Sequence, residues 1–321
     1  MTFDAERRLT LRRVARWIVA GGAIAASLPL LAQQPAQQPL TTAQLKPDVY
    51  WVSGGGGNSG VIVGSTGVVI VDAKTTPESG KDLLAQVAKI TSKPITHVIL
   101  THSDGDHVNG LASFPAGLTI IAHENNKKEQ EAAIDAGGRG APPADRLPTQ
   151  LVSTVREATT IDGVKFELLH WAPAHTSGDL VVYLPDQKIV FTGDIIATNR
   201  PDPLIHLEKG GSSEGWITTT KGIAGLDADK FVPGHGDVQT KADIQARLQA
   251  AQDKRDKIVA MIKDGKSLDD VKAALGEAQA AAPPPPPPGA GRGQPPGPGA
   301  GRGGGGGFAS FTEVVYQELK K

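Results

Sequence analysis

The heptapeptide THSDGDH at residues 101–107 constrains this chain more than any other feature of its sequence. It holds two histidines and two aspartates directly after ITHVIL, an apolar run that predicts a buried strand. Three more segments, APAHTSGDL, VFTGDII and VPGHGD, place His175, Asp194 and His235 after predicted strands in the same way. Because strand ends at one edge of a sheet lie together, the four loops are expected to converge.

The residue types in these four loops are those of a metal site. Imidazole and carboxylate groups are the expected ligands of zinc, iron or manganese. The chain contains no cysteine, so a thiolate ligand and a disulfide are both excluded. The protein must therefore be stabilised by its core alone, although an exported protein could have used disulfides.

Strand and helix alternate along the chain, which predicts an α/β fold. The segment GVIVGSTGVVIVDA indicates two buried strands joined by a tight turn at residues 65–67. Helical spacing is found in four later stretches: residues 78–90, 125–136, about 239–264 and 267–277. We place one domain, including its C-terminal helices, at residues 47–280.

The N-terminus has the composition of a targeting segment. Five arginines in RRLTLRRVAR precede the apolar run WIVAGGAIAASLPLLA, and QQPAQQPL follows as a polar exit. This is the layout of a secretory signal peptide over residues 1–32, with cleavage after Ala32; an uncleaved membrane anchor is the alternative. Residues 33–46 are then a polar linker, and the mature protein is expected to be periplasmic or secreted, with no membrane attachment.

The C-terminal part contains a low-complexity stretch. Residues 281–307 hold six consecutive prolines and then Gly/Pro/Arg repeats, which cannot bury a core and predict disorder. Residues 308–321 regain helical spacing, with Phe308, Phe311, Val315 and Leu319 near one face. We expect this segment to dock back on the domain as a helix.

Charge narrows the range of partners. Without residues 1–32 the chain carries 28 basic and 32 acidic residues, a net charge of −4. A nucleic-acid-binding protein typically has a basic stripe, so a nucleic-acid partner is disfavoured. A small-molecule substrate is expected instead, and the sequence leaves the oligomeric state open.

Four motifs in order resemble the metallo-β-lactamase fold superfamily. The family signature His-x-His-x-Asp-His, a later His, a Gly-Asp and a Gly-His are matched by HSDGDH, HTSGD, TGD and PGHG over about residues 47–245. The resemblance implies a four-layer αββα sandwich with two divalent metal ions, most often zinc, along one edge. The implied ligands are His102, Asp104 and His175 for the first metal, Asp106, His107 and His235 for the second, and Asp194 as the bridge.

Asp104 departs from the family pattern, which has histidine at this position. Two divalent ions carry four positive charges, and Asp104, Asp106, Asp194 and a bridging hydroxide carry four negative ones. The usual histidine would leave the site at +1, so we expect a less Lewis-acidic first metal and a bound water of higher pKa. Iron or manganese then competes better there. Alternatively, Asp104 turns away and only one metal binds well.

The resemblance also implies a reaction. In this family a metal-bridging hydroxide attacks an acyl or phosphoryl centre, and Asp106 would orient that hydroxide as the catalytic residue. True β-lactamases of the fold usually have cysteine or serine where Asp194 stands, and Asp194 resembles the pattern of glyoxalase II, lactonases and phosphodiesterases. We expect an exported hydrolase acting on an ester, lactone, thioester or amide, including a β-lactam. The alternatives are a metal-binding accessory protein without hydrolysis and a phosphodiesterase.

Several other residues have two possible interpretations. His97, inside a strand, and His123 and His170, at strand ends, are expected to be structural, as are Ser103, Trp51 and Trp216. His206 lies in a loop that often shapes the pocket in this family, and it is a candidate for substrate contact. The glycine run SGGGGNSG at 53–60 lacks the lysine and helix of a P-loop, and predicts a flexible hairpin near the site.

Overall fold

Two β-sheets pack face to face in this protein, with helices on both outer faces. A computed structural model describes residues 39–137, 142–277 and 308–320. The expected signal peptide at 1–32 and the Pro/Gly-rich segment at 281–307 lie outside the described residues.

The first sheet has seven strands in the order β1 to β7. Strands β1 to β4 are antiparallel, and β4 to β7 run parallel. The strands are β1 (Thr41–Lys46), β2 (Val49–Ser53), β3 (Ser59–Val63), β4 (Val68–Val71), β5 (Ile95–Ile99), β6 (Thr119–His123) and β7 (Gln150–Val152).

The second sheet has five strands in the order β12-β11-β10-β9-β8. Its strands are antiparallel except for the parallel pair β11 and β12. They are β8 (Arg156–Ile161), β9 (Val164–Leu169), β10 (Val181–Leu184), β11 (Ile189–Phe191) and β12 (Lys230–Val232).

The described residues also form seven α-helices. These are α1 (Pro77–Ile90), α2 (Gly105–Val108), α3 (Glu124–Asp135), α4 (Ser213–Gly225), α5 (Lys241–Lys263), α6 (Leu268–Ala274) and α7 (Phe311–Leu319). Helix α1 shows why such segments begin where they do. Pro77 occupies its first position, and the Thr76 hydroxyl accepts a hydrogen bond from Ser79 N at 3.1 Å.

Three clusters of buried apolar residues lie between the layers and join them. One lies between the sheets and includes Ile62 and Val69 from the first sheet and Phe166 and Phe191 from the second. Another joins the outer face of the first sheet to α1, and the third joins the outer face of the second sheet to α4, α5 and α7. This layering confirms the expected αββα sandwich.

The expected linker at 33–46 is wrong for its second half. Residues Thr41–Lys46 form β1, which pairs antiparallel with β2, so the domain begins before residue 47. The strand lies at the edge of the sheet, and its side chains are exposed or half-buried. Because no face of this strand is fully buried, its sequence TTAQLK contains no apolar run. Such a run is the pattern that would have predicted a strand here.

The C-terminal segment docks as a helix, as expected. Helix α7 buries Phe311, Val314 and Val315 against α4 and α5. The expected apolar face was wrong at its ends, because Phe308 and Leu319 are 59% and 42% exposed. Phe308 lies outside the helix, because α7 begins only at Phe311. Among the described residues, we find no helix with the length and apolarity needed to cross a membrane.

The docking of α7 predicts a stability effect. Phe311→Ala should lower the free energy of unfolding by about 3–5 kcal/mol, because it leaves a cavity under α7. Leu319→Ala, on the exposed end of the same helix, is the matched control and should change little. Chemical denaturation of both variants measures the difference, and equal small effects would show that α7 does not contribute to the core.

Candidate metal centre

The structure brings all seven sequence-predicted ligands together at one edge of the sandwich. The first four belong to the segment after β5, and each of the others follows a strand of the second sheet: His175 after β9, Asp194 after β11 and His235 after β12. Convergence follows from the fold, because these strand ends meet at the same edge. Their role as ligands remains a prediction.

The first half of the centre is formed around Asp104. Its Oδ2 lies 3.2 Å from His175 Nε2 and 3.8 Å from His102 Nε2. His206 Nε2 also lies 3.2 Å from the same oxygen. Donor atoms at these separations can share one ion, so Asp104 faces the site and does not turn away.

The second half joins two histidines and a carboxylate. His235 Nε2 lies 3.0 Å from Asp106 Oδ2, and His107 Nε2 lies 3.9 Å from the same oxygen. These three residues form a second group of close donor atoms. Asp106 is 36% exposed at its side chain, more than the other six residues, so it borders the open side of the centre.

Asp194 lies between the two halves. Its Oδ1 is 3.2 Å from His107 Nε2, and its Oδ2 is 3.4 Å from His235 Nε2. It also forms a close group with His102 and His175. The carboxylate is 3% exposed, so each of its oxygens faces histidine rings instead of solvent. This is the position that a bridging ligand requires.

Hydrogen bonds on the far side of the rings fix their tautomers. Thr101 Oγ1 donates to Asp72 and therefore accepts from His102 Nδ1 at 2.9 Å. His107 Nδ1 donates to Asp72 Oδ2 at 2.8 Å, and His175 Nδ1 donates to the carbonyl of Leu204 at 2.9 Å. Each Nε2 then presents a lone pair to the centre, the arrangement of a metal-binding histidine.

The residues present fit a bound cation. Among the described residues, His102 Nε2, His107 Nε2 and Asp194 Oδ1 are buried and have no hydrogen-bond partner. A lone pair that faces a carboxylate oxygen at 3.2 Å is repelled unless a positive charge lies between them. Divalent ions at these positions would satisfy all three atoms, and oxygen and nitrogen donors of this kind suit zinc.

Without metal, protons supply the missing charge. Burial alone would raise the pKa of Asp194. The neighbouring His107 outweighs burial and holds this pKa well below its usual range. Burial also opposes protonation of His235, but Asp106 and Asp194 raise its pKa to about 9. Metal ions must displace such protons, so metal binding is expected to weaken as the pH falls.

Asp179 organises the loop that carries His175. Its carboxylate accepts hydrogen bonds from His175 N at 2.7 Å and from Thr176 N and Oγ1 at 3.0 and 2.9 Å. Complete burial outweighs these donors and raises the pKa of Asp179 to about 6. This aspartate belongs to the HTSGD motif, but nothing in the motif indicates that its side chain holds the backbone of the loop.

Lys209 was missed by sequence reasoning and changes the charge of the first half. Its Nζ contacts Asp104 Oδ1 and lies 3.1 Å from Ser103 Oγ. Its positive charge compensates the carboxylate that replaces the family's histidine. The charge count that predicts a neutral centre and a less Lewis-acidic first metal omits this lysine. With Lys209 included, that count becomes +1.

The glycine run at 53–60 forms the β2–β3 turn, and it lies against the centre as expected. A Cβ on Gly57 would lie 2.2 Å from a carbon of the His107 ring, so only glycine leaves room for that ring. Lys74 fixes the turn, because its buried Nζ donates to Val52 O at 2.7 Å and to Gly57 O at 2.8 Å.

The other histidines and tryptophans occupy varied positions. His97 is half-buried in β5; His123 accepts from Asn125 N at the start of α3 and stacks on His170 with ring centroids 3.9 Å apart. Trp51 packs beside the core between the sheets, and Trp216 is buried, with its indole N–H donating to Ile195 O. These contacts support the structural interpretation of each.

His206 lies deeper than a residue that only lines a pocket. It is 4% exposed, and its Nδ1 lies 2.5 Å from Glu208 Oε1. The contacts with Asp104 and Glu208 outweigh its burial and raise its pKa to about 9. The Phe308 ring, from the segment before α7, lies edge-on to His206 with centroids 4.6 Å apart.

Comparison with known proteins assigns the family. The family model "Metallo-beta-lactamase superfamily" matches residues 52–235, which include all seven predicted ligands. The chain belongs to the metallo-β-lactamase superfamily.

Two curated relatives of the chain come from Nocardioides sp. (strain JS1661). The chain is 30% identical to 2,4-dinitroanisole O-demethylase subunit alpha, over 61% of this chain and 57% of the relative. It is also 30% identical to subunit beta, over 67% of this chain and 65% of the relative. The chain thus spans less than two thirds of either relative.

A solved structure shows the same superfamily fold. The sec-alkylsulfatase Pisa1 from Pseudomonas sp. superimposes with a TM-score of 0.62 at 17% identity, over 75% of this chain and 46% of that one. At this identity the likeness concerns the fold alone.

The packing of Gly57 predicts a metal-binding defect. Gly57→Ala should displace the His107 ring and reduce bound metal by about one ion per chain. Gly225→Ala is the matched control, because a Cβ at Gly225 meets no atom within 4 Å. Elemental analysis after dialysis measures both variants, and full metal content in Gly57→Ala would contradict the proposed role of His107.

Lys74 predicts a pH dependence of stability. Burial lowers its pKa to about 7, while in the unfolded chain it stays near its usual value, so the unfolded state binds more protons between these limits. The free energy of unfolding of the wild type, relative to Lys74→Met, should therefore rise by about 2 kcal/mol from pH 7.5 to 9.5. Denaturant titrations in chelator test this, and a constant difference would mean that folded Lys74 keeps its proton.

Proposed function

We propose that this chain is an exported, two-metal hydrolase that cleaves an ester, lactone, thioester or amide bond in a small molecule, with zinc as the preferred metal. One observation carries the proposal: seven histidine and aspartate side chains converge, with buried Nε2 and Oδ atoms that lack any partner among the described residues. Such a cluster is costly to bury unless cations occupy it.

The bound ions would supply Lewis acidity and an acidified water molecule as nucleophile. The residues of the chain hold and direct the reactants. Asp106 is the one carboxylate of the centre with substantial exposure, and its Oδ2 lies 3.0 Å from His235. It can orient the attacking water and accept its proton on the open side of the centre.

The rim of the centre supports a small organic substrate. Lys209 is partly exposed beside Asp104 and can bind a negatively charged or polar substrate group. The exposed Phe308 ring offers an apolar surface next to His206. Asp194 in place of cysteine or serine favours ester, lactone or thioester substrates over β-lactams, and the net charge of −4 disfavours a nuclease.

The test is a substrate panel with metal-loaded protein. It includes p-nitrophenyl acetate, a lactone, an acyl thioester, nitrocefin, 2,4-dinitroanisole and bis(p-nitrophenyl) phosphate. We expect acyl substrates to be hydrolysed best and chelator to abolish turnover. Asp106→Asn should lower kcat/KM by about 10²–10⁴-fold, because the amide cannot accept the proton.

A matched control separates loss of the catalytic carboxylate from a general loss of protein structure. Asp186→Asn changes an exposed carboxylate in the β10–β11 turn, at the end of β11 opposite Asp194, and should retain full activity. Faster hydrolysis of bis(p-nitrophenyl) phosphate than of acyl substrates would favour a phosphodiesterase. Two bound metals without turnover of any substrate would favour an accessory metal-binding protein.

Export rests on the N-terminal sequence alone. The arginine-rich and apolar segments of residues 1–32 support a signal peptide that is cleaved after Ala32. Expression of the full chain in a bacterial host, followed by fractionation and N-terminal sequencing, tests this. A mature protein beginning at Gln33 in the periplasm or medium is expected, and an uncleaved chain in the membrane fraction would contradict it.

A further inference from the structure

We propose that His206 is a ligand of the first metal, and that it supplies the imidazole nitrogen that the family's histidine would have supplied at position 104. The inference rests on the proposed two-metal centre but does not depend on the substrate or the reaction. It assigns to His206 a role different from the substrate contact expected from its loop.

The distances place His206 among the first-metal donors. Its Nε2 lies 3.2 Å from Asp104 Oδ2, as does His175 Nε2, and the rings of His175 and His206 meet edge-on with centroids 4.8 Å apart. Two ligands of one tetrahedral zinc ion lie about 3.3 Å apart, given zinc–ligand distances of about 2.0–2.1 Å. Asp104, His175 and His206 therefore surround a common point.

The far side of the ring has the support that a ligand needs. His206 Nδ1 lies 2.5 Å from Glu208 Oε1, which acts as the acceptor of its proton. His107 is held by Asp72 in the same way. A carboxylate in this position fixes the tautomer and leaves Nε2 as a lone pair for a metal.

The near side of the ring is unsatisfied. His206 Nε2 is buried and has no hydrogen bond of acceptable geometry with any described residue, despite its distance of 3.2 Å from Asp104. His206 shares this condition with His102 and His107, whose Nε2 atoms are also buried without a partner. Most buried polar side-chain atoms have a partner, and a cation between His206 and Asp104 would satisfy this nitrogen.

Backbone hydrogen bonds hold His206 next to His175, one of the predicted ligands of the first metal. His206 N donates to His175 O at 2.8 Å, and His175 Nδ1 donates back to Leu204 O at 2.9 Å. Gly211 N also donates to His206 O at 3.0 Å. The loop therefore places the two rings together independently of any substrate.

Asp104 has only one carboxylate oxygen available for a metal ion. Lys209 occupies its Oδ1, so only Oδ2 remains free to bind an ion. An imidazole from His206 gives the first site a third nitrogen donor after His102 and His175, beside the carboxylate oxygens of Asp104 and of the bridging Asp194. This set favours zinc over the harder metals that Asp104 alone would favour.

Metal binding to His206→Ala tests the inference. Metal-free wild type and variant are titrated with Co²⁺, and the d–d absorption and metal content at limiting free metal are recorded. We expect two ions per chain in the wild type, and about 100-fold weaker binding with an altered spectrum at one site of the variant. Glu208→Gln should weaken the same site by about 10–100-fold.

Controls make the result specific. His123→Ala removes a histidine that stacks on His170 and caps α3, and it should leave both sites unchanged. If His206→Ala does not fold, as judged by circular dichroism, Glu208→Gln decides the question alone. Unchanged affinities and spectra in the His206 and Glu208 variants of a two-ion wild type would overturn this inference only. Fewer than two ions in the wild type would overturn the two-metal centre and this inference with it.

Discussion

The contact on which the whole centre depends is that of the Asp194 carboxylate with His107 and His235 of the second half and with the group of His102 and His175 in the first half. Its oxygens lie 3.2 Å from His107 and 3.4 Å from His235 while the side chain is almost fully buried. The glycines of the Gly-Asp and Gly-His motifs make this possible. A Cβ on Gly234 would lie 1.9 Å from Asp194 Oδ1, and Gly193 has a φ of 53°, which favours glycine.

The rest of the fold serves to hold these atoms in place. Hydrogen bonds to Nδ1 orient the rings of His102, His107 and His175, and the buried Nζ of Lys74 fixes the turn at 53–60. Helix α7 extends this support to the first residue of α4, which follows the loop that carries His206, because Glu318 accepts a hydrogen bond from Ser213 N at 2.6 Å. The segment at the C-terminal end thus supports the loop that carries His206.

The sequence predicted the parts of the structure that depend on local pattern. Strands such as β3, β4 and β5 have apolar runs, and the seven predicted ligands have recognisable types and spacing. The edge strands β1 and β8 were missed because their sequences, TTAQLK and REATTI, are mostly polar and contain no run of buried apolar residues. The positioning groups were missed for a different reason. Lys209 lies 105 residues from Asp104 along the chain, and only the tertiary fold shows that they meet.

Anomalous diffraction from crystals of the metal-loaded protein tests the central claim most directly. Data collected on both sides of the zinc absorption edge locate each ion without reference to activity. The account predicts two peaks, one among His102, Asp104 and His175 and one among Asp106, His107 and His235, with Asp194 between them. A single peak, or peaks away from Asp194, would contradict the two-metal centre.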